Sequence, residues 1–216
     1  MDALLIVRVV VGAYLIGAFP TAYLVGRLNG INIFEVGSGN MGTNNAIRAM
    51  GFGWGIVVWA VDIAKGILAV WLAMQALPNG VAQVTGALAA IAGHNWSIFA
   101  ALLTGKLRGG KGAATWLGTF LVMAPLPVIL FIAVLFVVIV ALTRYVSLGV
   151  LTSVAVGALA MILLAVSHVE GALGVMEASD LYVLYGVLAA VMIFYRHRDN
   201  IQRLLSGTER RLGERA

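Results

Sequence analysis

The chain has 216 residues, of which 62% are hydrophobic and 11% charged, and its 14 Lys and Arg against 9 Asp and Glu give a formal net charge of +5. Soluble domains are about 45–50% apolar and about 25% charged, and a chain this short buries too little surface to hide such an excess from water. The composition therefore excludes a soluble globular domain and a disordered chain, and lipid is the expected solvent. The positive balance is typical of basic loops at a membrane surface rather than of nucleic-acid binding, and the lack of cysteine excludes thiolate chemistry.

Apolar runs long enough for membrane helices follow one another along most of the chain. A hydrocarbon core about 30 Å thick requires roughly 20 apolar residues in a helix. The runs are 4–25, 54–77, 81–103, 113–124, 126–142, 147–166 and 181–195. Run 113–124 spans only about 18 Å as a helix. It is joined to the next run through Pro125 and Pro127, so the two runs form either one kinked helix or a hairpin of two short helices.

The basic residues decide between these two arrangements. Arg8 and Lys65 lie inside spans, and the other twelve are Arg27, Arg48, Lys106, Arg108, Lys111, Arg144, Arg196, Arg198, Arg203, Arg210, Arg211 and Arg215. A hairpin at residues 125–127 places all twelve on one side of the membrane, whereas a single helix divides them five against seven, so the positive-inside rule favours the hairpin. We therefore predict an all-α, polytopic membrane helix bundle with seven transmembrane helices. Its N-terminus lies outside, its C-terminus is cytoplasmic, and residues 1–216 form a single domain.

This topology brings the polar segments 37–48, 105–112, 143–147 and 195–209 to the cytoplasmic face. The first holds small and amide side chains that suit an anion, because glycines let backbone N–H groups crowd around it: Ser38, Gly39, Asn40, Gly42, Thr43 and Asn45. A helix that begins near Asn44 would add its positive dipole end, and Arg48 could clamp a phosphate. The alternative is a flexible polar turn.

The second and last segments are also cationic. Gly109, Gly110, Lys111 and Gly112 lack the spacing of a nucleotide-binding P-loop but can form a cationic nest at the start of a short helix. Arg196, His197 and Asn200 lie in the last segment, which a basic flank touching anionic lipid would explain only in part. For Lys111 the alternative is an ordinary lysine of a cytoplasmic loop.

Polar residues within the spans have simpler interpretations. Asp62 and Lys65 are three apart on one helical face, which predicts a structural ion pair, and His94 with Asn95 is predicted to support the site by hydrogen bonding. No His is followed five residues later by Asp, and neither an acidic cluster nor a zinc-type His pair is present. The sequence thus predicts anion binding and electrostatic stabilisation, with no metal or cofactor.

Taken together and in this order, the motifs identify a known family. The chain resembles the bacterial acyl-phosphate:glycerol-3-phosphate acyltransferases over nearly its whole length. The residues that carry the resemblance are Ser38, Gly39, Asn40, Met41, Gly42, Asn45, Arg48, Asp62, Lys65, Gly66, Gly93, His94, Gly109, Gly110, Lys111, Gly112, Ala114, Thr115, Ser147, Leu148, Arg196, His197, Arg198, Asp199, Asn200, Ile201, Arg203, Leu204, Gly207, Thr208 and Glu209.

The resemblance implies a seven-span inner-membrane enzyme that moves a fatty acyl group from acyl phosphate to the sn-1 hydroxyl of glycerol 3-phosphate. Its products would be lysophosphatidic acid and phosphate, and neither a nucleic acid nor a protein partner is needed. The loop 38–45 would cradle the acyl-phosphate head, and the family is thought to use no protein nucleophile. Catalytic roles would fall to Arg48, Lys111, His197 and Asn200, and substrate binding also to Ser147, Arg196, Gly109, Gly110 and Gly112.

The chain departs from the family pattern at three places. Asn44 stands where the family usually has Thr, and Ser97 where Pro is common. The stretch after Phe99 is also longer than usual, so no function is carried onto Lys106 or Arg108.

Two other classes of protein fit parts of the pattern. An anion transporter also uses cationic sites among helices, but it would want polar lining on both faces, and the predicted outer loops contain no Lys or Arg. A structural subunit whose glycine-rich helices only pack together would not explain the ordered polar motifs. From the residues without the resemblance, enzyme and transporter stay nearly equal alternatives.

Overall fold

The computed structural model describes residues 3–167 and 179–214, and most of these are in helices. Within these ranges β pairing is limited to one isolated bridge between Ser97 and Arg108, so the prediction of an all-α fold is confirmed. In chain order the helices are α1 (Ala3–Ala18), α2 (Thr21–Leu28), α3 (Thr43–Met50), α4 (Phe52–Ala76), α5 (Gly80–Asn95), α6 (Ile98–Thr104), α7 (Ala113–Met123), α8 (Leu126–Thr143), α9 (Val146–Ser167), α10 (Ser179–Arg196) and α11 (Arg198–Leu205).

Several helices are long and apolar enough to cross a membrane. In the described part of the chain these are Ala3–Leu28, which contains α1 and α2, then Phe52–Ala76, Leu126–Thr143 and Val146–Val166. Helix α7 is apolar but shorter. A multi-pass membrane protein follows from these lengths. The predicted outer loop between the runs 147–166 and 181–195 falls mainly on residues 168–178, which together with Arg215 lie outside the described residues.

The predicted break between the two short runs is confirmed. Helix α7 ends at Met123, and Ala124 and Pro125 have extended backbones with ψ of 151° and 145°. Pro125 has no N–H to continue a helix, and its ring disfavours helical geometry at the preceding residue. Residues 113–143 therefore form two separate helices rather than one kinked helix.

The break between α1 and α2 depends on a buried ion pair. Pro20 interrupts the helix and leaves backbone carbonyl groups without helical partners, which is costly in an apolar environment. Lys65 Nζ donates a hydrogen bond to the carbonyl of Phe19 at 3.2 Å and lies 2.8 Å from Asp62 Oδ1. The same carboxylate oxygen accepts a hydrogen bond from Thr21 Oγ1 at 3.1 Å. The predicted Asp62–Lys65 pair is therefore confirmed, and it stabilises the broken helix.

Glycines let the helices pack at short distance. A Cβ added to Gly66 of α4 would collide with the carbonyl oxygen of Thr115, and one added to Gly118 of α7 would collide with that of Ile63. Small residues at such crossings allow backbones to approach closely, which drives helix association where lipid competes with apolar side chains. This packing fixes α7, and with it the loop that precedes α7, against α4.

The largest apolar core cluster lies among α4, α5, α7, α9 and α10, and α8 contributes a single buried residue to it. Fully buried core side chains include Val70, Ile91, Phe120, Met161 and Tyr185. In α8 only Ile132 is buried, and the side chains of Leu130, Phe131 and Val134 are 56–61% exposed. Exposed apolar surface of this kind is expected where lipid is the solvent.

Candidate active site

The segment between α2 and α3 is folded around the side chain of Asn45, and we call it the Asn45 loop. Its Nδ2 lies 2.9–3.1 Å from the carbonyl oxygens of Ile33, Val36 and Asn40, and its Oδ1 accepts a hydrogen bond from the N–H of Ser38 at 2.8 Å. The side chain is buried, and a fully satisfied buried amide is a rigid brace. Asn45 therefore holds the loop, and its direct contact with a substrate stays a prediction.

The rest of this loop is accessible to a ligand. Among its predicted site residues, Ser38 is exposed, and the partly exposed ones are Gly39, Asn40, Gly42 and Thr43. Gly39 has a φ of +65°, which glycine adopts without strain. Helix α3 begins at Thr43, one residue before the predicted start, and its N-cap Gly42 provides no side-chain hydrogen bond. The first N–H groups of α3 are thus left for another acceptor, as an anion site requires.

The glycine loop 109–112 lies directly against the end of α5. The N–H of Gly110 donates a hydrogen bond to the carbonyl of His94 at 3.0 Å. A Cβ added to Gly109 would collide with the same carbonyl, and one added to Gly110 would collide with the imidazole ring of His94. At Gly112, where φ is +81°, a Cβ would lie 2.7 Å from Asn95 Oδ1. His94 thus supports the loop by hydrogen bonding as predicted, but through its backbone carbonyl, and no side chain fits at these glycines. The prediction is wrong for the side chain of Asn95, which packs against Gly112 while its buried Oδ1 and Nδ2 have no hydrogen-bond partner.

Arg196 holds the same loop from the opposite direction. Its Nε donates a hydrogen bond to the carbonyl of Gly110 at 2.9 Å, and its Nη2 donates to the carbonyl of Gly109 at 3.1 Å. The guanidinium group also lies 6.0 Å from the centre of the Trp96 ring. Arg196 therefore braces the loop that carries Lys111, and its predicted contact with substrate stays a prediction.

Ser97 connects α5 and α6 in a way that proline could not. Its N–H donates a hydrogen bond to the carbonyl of Arg108 at 3.1 Å, and its Oγ accepts one from the N–H of Ala100 at 3.1 Å. A proline at this position would lack the N–H group. The departure from the family pattern at Ser97 therefore ties the start of the glycine loop to the end of α5.

A hydrogen-bond network joins three segments that are distant in sequence. Lys111 Nζ donates to Asn200 Oδ1, and Asn200 Nδ2 donates to Glu209 Oε1 at 2.7 Å. Ser147 Oγ donates to the same carboxylate oxygen at 2.8 Å, and Arg203 Nε donates to Glu209 Oε2 at 2.7 Å. The structure thus brings the predicted residues Lys111, Ser147 and Asn200 together, with Glu209 as the shared acceptor.

Sequence reasoning assigned no role to Glu209 or to its partner Arg203. Burial raises the pKa of Glu209, but hydrogen bonds from Asn200, Ser147 and Arg203 outweigh it and place the pKa below its usual value. The carboxylate is therefore ionised at neutral pH. The feature of the sequence that could have indicated Glu209 is its position, as a carboxylate directly before Arg210 and Arg211 in a basic tail.

The amine of Lys111 titrates close to neutral pH. Burial and, to a smaller extent, the positive charge of Arg203 lower the pKa of Lys111, Glu209 opposes them, and the net result is a shift from 10.5 to about 8. Most molecules carry the ammonium form at pH 7, and this cation is partly desolvated. A desolvated cation attracts an anion more strongly than one surrounded by water.

His197 is buried and neutral at pH 7. Its Nδ1 lies 2.8 Å from the carbonyl oxygen of Ile193, which can only accept, so Nδ1 carries the proton and Nε2 is an unprotonated acceptor. Burial lowers the pKa of His197 from 6.5 to about 4, and the charge of Lys111 contributes to the shift. Such an imidazole is a weak base, and it suits a role as a hydrogen-bond acceptor that positions a hydroxyl group.

Arg48 extends the site toward the loop of the first polar segment. Arg48 lies in α3 and is partly buried. Burial lowers its pKa most, the positive charge of Arg210 lowers it less, and the negative charge of Glu209 opposes the shift. Arg108 links the same two regions, because its guanidinium group lies 4.5 Å from the centre of the Phe34 ring. The contact of Arg108 with Phe34 places the Asn45 loop beside the glycine loop without a direct hydrogen bond between their predicted site residues in the described ranges.

The assembled groups are suited to binding anions. They combine cations, neutral donors and free N–H groups, with one unprotonated imidazole nitrogen. Within residues 3–167 and 179–214, no group of three or more His, Cys, Asp or Glu side chains is placed to hold a metal ion. The arrangement can bind phosphate groups and stabilise negative charge that develops on a reacting oxygen.

Comparison with known proteins identifies the family. A family model described as glycerol-3-phosphate acyltransferase matches residues 7–207. Glycerol-3-phosphate acyltransferase 2 of Moorella thermoacetica is 45% identical over 205 residues, which cover 94% of this chain and 96% of that protein. The glycerol-3-phosphate acyltransferase of Thermus thermophilus is 41% identical over 207 residues, 94% of each chain.

Two solved structures share the fold over almost the whole length. They are crystal structures of PlsY, an integral membrane glycerol 3-phosphate acyltransferase, in a glycerol 3-phosphate form and a lysophosphatidic acid form. The first has a TM-score of 0.80 and the second 0.78, both at 32% sequence identity, and they cover 96% of this chain and 95–96% of theirs. The motifs, the fold and these matches agree, and the chain belongs to the glycerol-3-phosphate acyltransferase family.

Proposed function

We propose that this glycerol-3-phosphate acyltransferase takes its acyl group from acyl phosphate, transfers it to the sn-1 hydroxyl, and forms no covalent acyl-enzyme. The observation that carries the proposal is the pairing of a desolvated Lys111 ammonium with Asn200, close to the neutral His197, whose Nδ1–H is already bound to Ile193. This arrangement provides positioning and charge stabilisation but no activated nucleophile.

Glycerol 3-phosphate binds between the glycine loop and α11 in this proposal. Lys111 and Arg48 supply positive charge for its phosphate group, and Ser147 and Asn200 supply neutral polar contacts. Arg can hold phosphate through two parallel hydrogen bonds, whereas Lys acts as a point charge. His197 Nε2 accepts a hydrogen bond from a hydroxyl group of the acceptor.

Acyl phosphate binds with its head in the Asn45 loop and its chain among the helices. The exposed Ser38, the backbone at Gly39 and the first N–H groups of α3 are donors suited to a phosphate. The bracing of this loop by the buried Asn45 supports the assignment, because a preorganised cradle binds without first having to become ordered.

The transfer is a single displacement at the acyl carbon. The acceptor oxygen forms a bond to the carbonyl carbon, the bond from that carbon to the phosphate oxygen breaks, and inorganic phosphate leaves. The proton of the attacking hydroxyl passes to a phosphate oxygen of the donor, so no strong protein base is needed. This route is compatible with the low pKa of about 4 for His197.

We also propose the seven-span topology, with the site at the cytoplasmic face of the inner membrane. The Lys111–Asn200–Glu209–Ser147 network supports it, because residues in contact belong to the same end of the bundle. Helices α7 and α8 lie between Lys111 and Ser147 and are separated at Pro125, as a path across the membrane and back requires. A single crossing would have separated Lys111 from Ser147 by the thickness of the bilayer.

The direct test is product analysis with purified protein. We expect acyl phosphate and labelled glycerol 3-phosphate to yield labelled lysophosphatidic acid, and the rate to be unchanged by a metal chelator. Acyl-CoA is expected not to replace acyl phosphate. Full activity with acyl-CoA, or loss of activity with a chelator, would contradict the proposed donor or the proposed metal-free chemistry.

A further inference from the structure

The C-terminal strap, residues 206–214, runs without regular structure from the end of α11 back to the α8–α9 turn. The chain turns at Gly207, where φ is +70°, and the strap then places Glu209 in the site. The Glu209 side chain is only 6% exposed, although most of the strap is exposed. Because no helix carries Glu209, its position depends on whatever holds the strap.

The strap is anchored on both sides of Glu209. On the near side, the N–H groups of Thr208 and Glu209 donate hydrogen bonds to the carbonyl of Arg203 at 2.8 and 3.1 Å. On the far side, the N–H of Leu212 donates to the carbonyl of Arg144 at 2.7 Å, and Arg144 Nη2 donates back to the carbonyl of Leu212 at 2.7 Å. We call this reciprocal pair of hydrogen bonds the clasp.

The backbone of Arg144 has an unusual conformation for its residue type. Arg144 ends α8 with φ of 62° and ψ of 8°, and it is the one non-glycine residue with positive φ in the described ranges. Glycine or asparagine is usual at such a helix end. Arginine does not favour this backbone conformation, so its presence here is explained by the hydrogen bond that its side chain donates in the clasp.

A second contact supports the clasp. The guanidinium group of Arg211 lies 5.6 Å from the centre of the Tyr145 ring, next to Arg144. Ser147, two residues further along, donates its hydrogen bond to Glu209. The turn between α8 and α9 therefore contacts the strap at three successive places.

We propose that Arg144 is a positioning residue for acyl transfer, which clasps the strap and so holds the Glu209 carboxylate against Ser147 and Asn200. Asn200 in turn contacts Lys111, so displacement of Glu209 alters the groups assigned above to glycerol 3-phosphate. The proposal rests on those assigned roles of Lys111 and Asn200. It predicts that loss of the clasp impairs the acceptor side of the reaction more than the acyl-phosphate side.

Two substitutions in the full-length protein each break the clasp by removing one of its two hydrogen bonds. Arg144→Gly keeps a residue that readily adopts positive φ, so the end of α8 is preserved while the side-chain donor is lost. Leu212→Pro removes the N–H group that donates to Arg144. Arg27→Ala is the matched control, because Arg27 is an exposed arginine of α2 outside the site.

The first readout is limited trypsin cleavage at Arg210 and Arg211 in the strap. We expect cleavage about tenfold faster in Arg144→Gly, because a released strap samples open conformations more often. The thermal midpoint should match that of the wild-type protein, and Arg27→Ala should be cleaved at the wild-type rate. Unchanged cleavage in Arg144→Gly would overturn the proposal.

The second readout is kinetic and separates positioning from a merely structural role. We expect KM for glycerol 3-phosphate to rise about tenfold in both variants, with KM for acyl phosphate within about twofold of wild type. Because both substitutions break one clasp, the double variant should be no more than about twofold worse than either single variant. The proposal would be overturned if the increases in KM of the two single variants multiplied in the double variant. It would also be overturned if trypsin cleaved the strap faster while KM for glycerol 3-phosphate stayed unchanged.

The result for Lys111→Ala separates this proposal from the assigned site. If Lys111→Ala retains normal turnover while Arg144→Gly shows the expected changes, the assignment of Lys111 is wrong, and the clasp acts on the acceptor side through Asn200 and Ser147. If Lys111→Ala is inactive and Arg144→Gly behaves as wild type, the site stands and the clasp is overturned.

Discussion

At the scale of single residues, polar side chains of the same type serve different ends in this enzyme. The amide of Asn45 makes its hydrogen bonds with backbone groups of its own loop, whereas the amide of Asn200 connects Lys111 to Glu209. Both side chains are buried and must find their partners within the protein, so the difference lies in what surrounds them: backbone carbonyls of one loop at Asn45, and side chains from other segments at Asn200. Residue type alone could not have separated a bracing asparagine from one that lies among the proposed substrate-binding groups.

Lys111 carries the prediction at this scale. We expect Lys111→Ala to lose acyl transfer by a factor of about 100 or more, since it removes a preorganised cation from a partly desolvated site. In the wild-type enzyme kcat/KM should fall as pH rises through about 8, because the ammonium form is populated below the pKa of Lys111 and lost above it.

The pH profile also provides the control for this prediction. The residual activity of Lys111→Ala should lack the alkaline decline, since the titrating amine is absent. Near-normal turnover in the folded variant would remove Lys111 from the site. A wild-type profile that stays flat through about pH 9 would show that the charge of Lys111 does not matter.

At the scale of elements, the site is built from helix ends rather than helix centres. The end of α5 supports the glycine loop, the start of α3 faces the Asn45 loop, and the start of α9 supplies Ser147. Helix ends leave backbone N–H and carbonyl groups unpaired, so they combine readily with loops and anions. The breaks at Pro20 and Pro125 make additional ends without adding length to the chain.

The glycine loop provides the prediction at this scale. A methyl group at Gly110 would collide with the His94 ring, so Gly110→Ala must displace the loop or the end of α5. Such overpacking destabilises proteins by about 1–3 kcal/mol, and a shift of about 1 Å at Lys111 can reduce the rate about 100-fold. We expect a lower thermal midpoint in detergent together with a large loss of kcat.

Gly12→Ala is the matched control for Gly110→Ala. Gly12 lies in α1, and nothing stands within 4 Å of the position that its Cβ would take. This variant should keep the stability and activity of the wild-type enzyme. Equal behaviour of the two variants would show that the close contact with His94 is unimportant.

At the scale of the whole molecule, the site exists only because four segments meet at one end of the bundle. The glycine loop and the last segment are joined to Ser147 through Glu209, and Arg108 contacts the ring of Phe34, just before the first segment. In the proposed topology an even number of crossings separates successive segments, which returns the chain to the same face.

The membrane topology provides the prediction at this scale. The chain contains no cysteine, so single cysteines can be labelled without background. We expect an impermeant thiol reagent to reach Ser38→Cys and Ser206→Cys only from the cytoplasmic side, and Pro78→Cys only from the outside. All three positions are exposed in the structure. Labelling of Ser38→Cys and Ser206→Cys from opposite sides would make a shared site impossible.

The sequence predicted some elements closely and others only in part. The run 54–77 corresponds to α4, Phe52–Ala76, and 126–142 corresponds to α8, Leu126–Thr143, because apolar length and flanking Gly or Pro mark such helices directly. Runs 4–25 and 81–103 are each broken into two helices in the structure. Their interruptions depend on hydrogen bonds from Lys65 and Ser97, whose partners are distant in sequence.

The amino-acid sequence by itself determined the lipid environment, the helical class, the family and the anion-binding character of the motifs, because these follow from composition and local order. Only the tertiary structure decided which polar groups meet: the Glu209 carboxylate between Ser147 and Asn200, Arg196 on the glycine loop, and the proton on His197 Nδ1. Hydrogen bonds act over about 3 Å, and such distances between remote residues are set by helix packing rather than by neighbours along the chain.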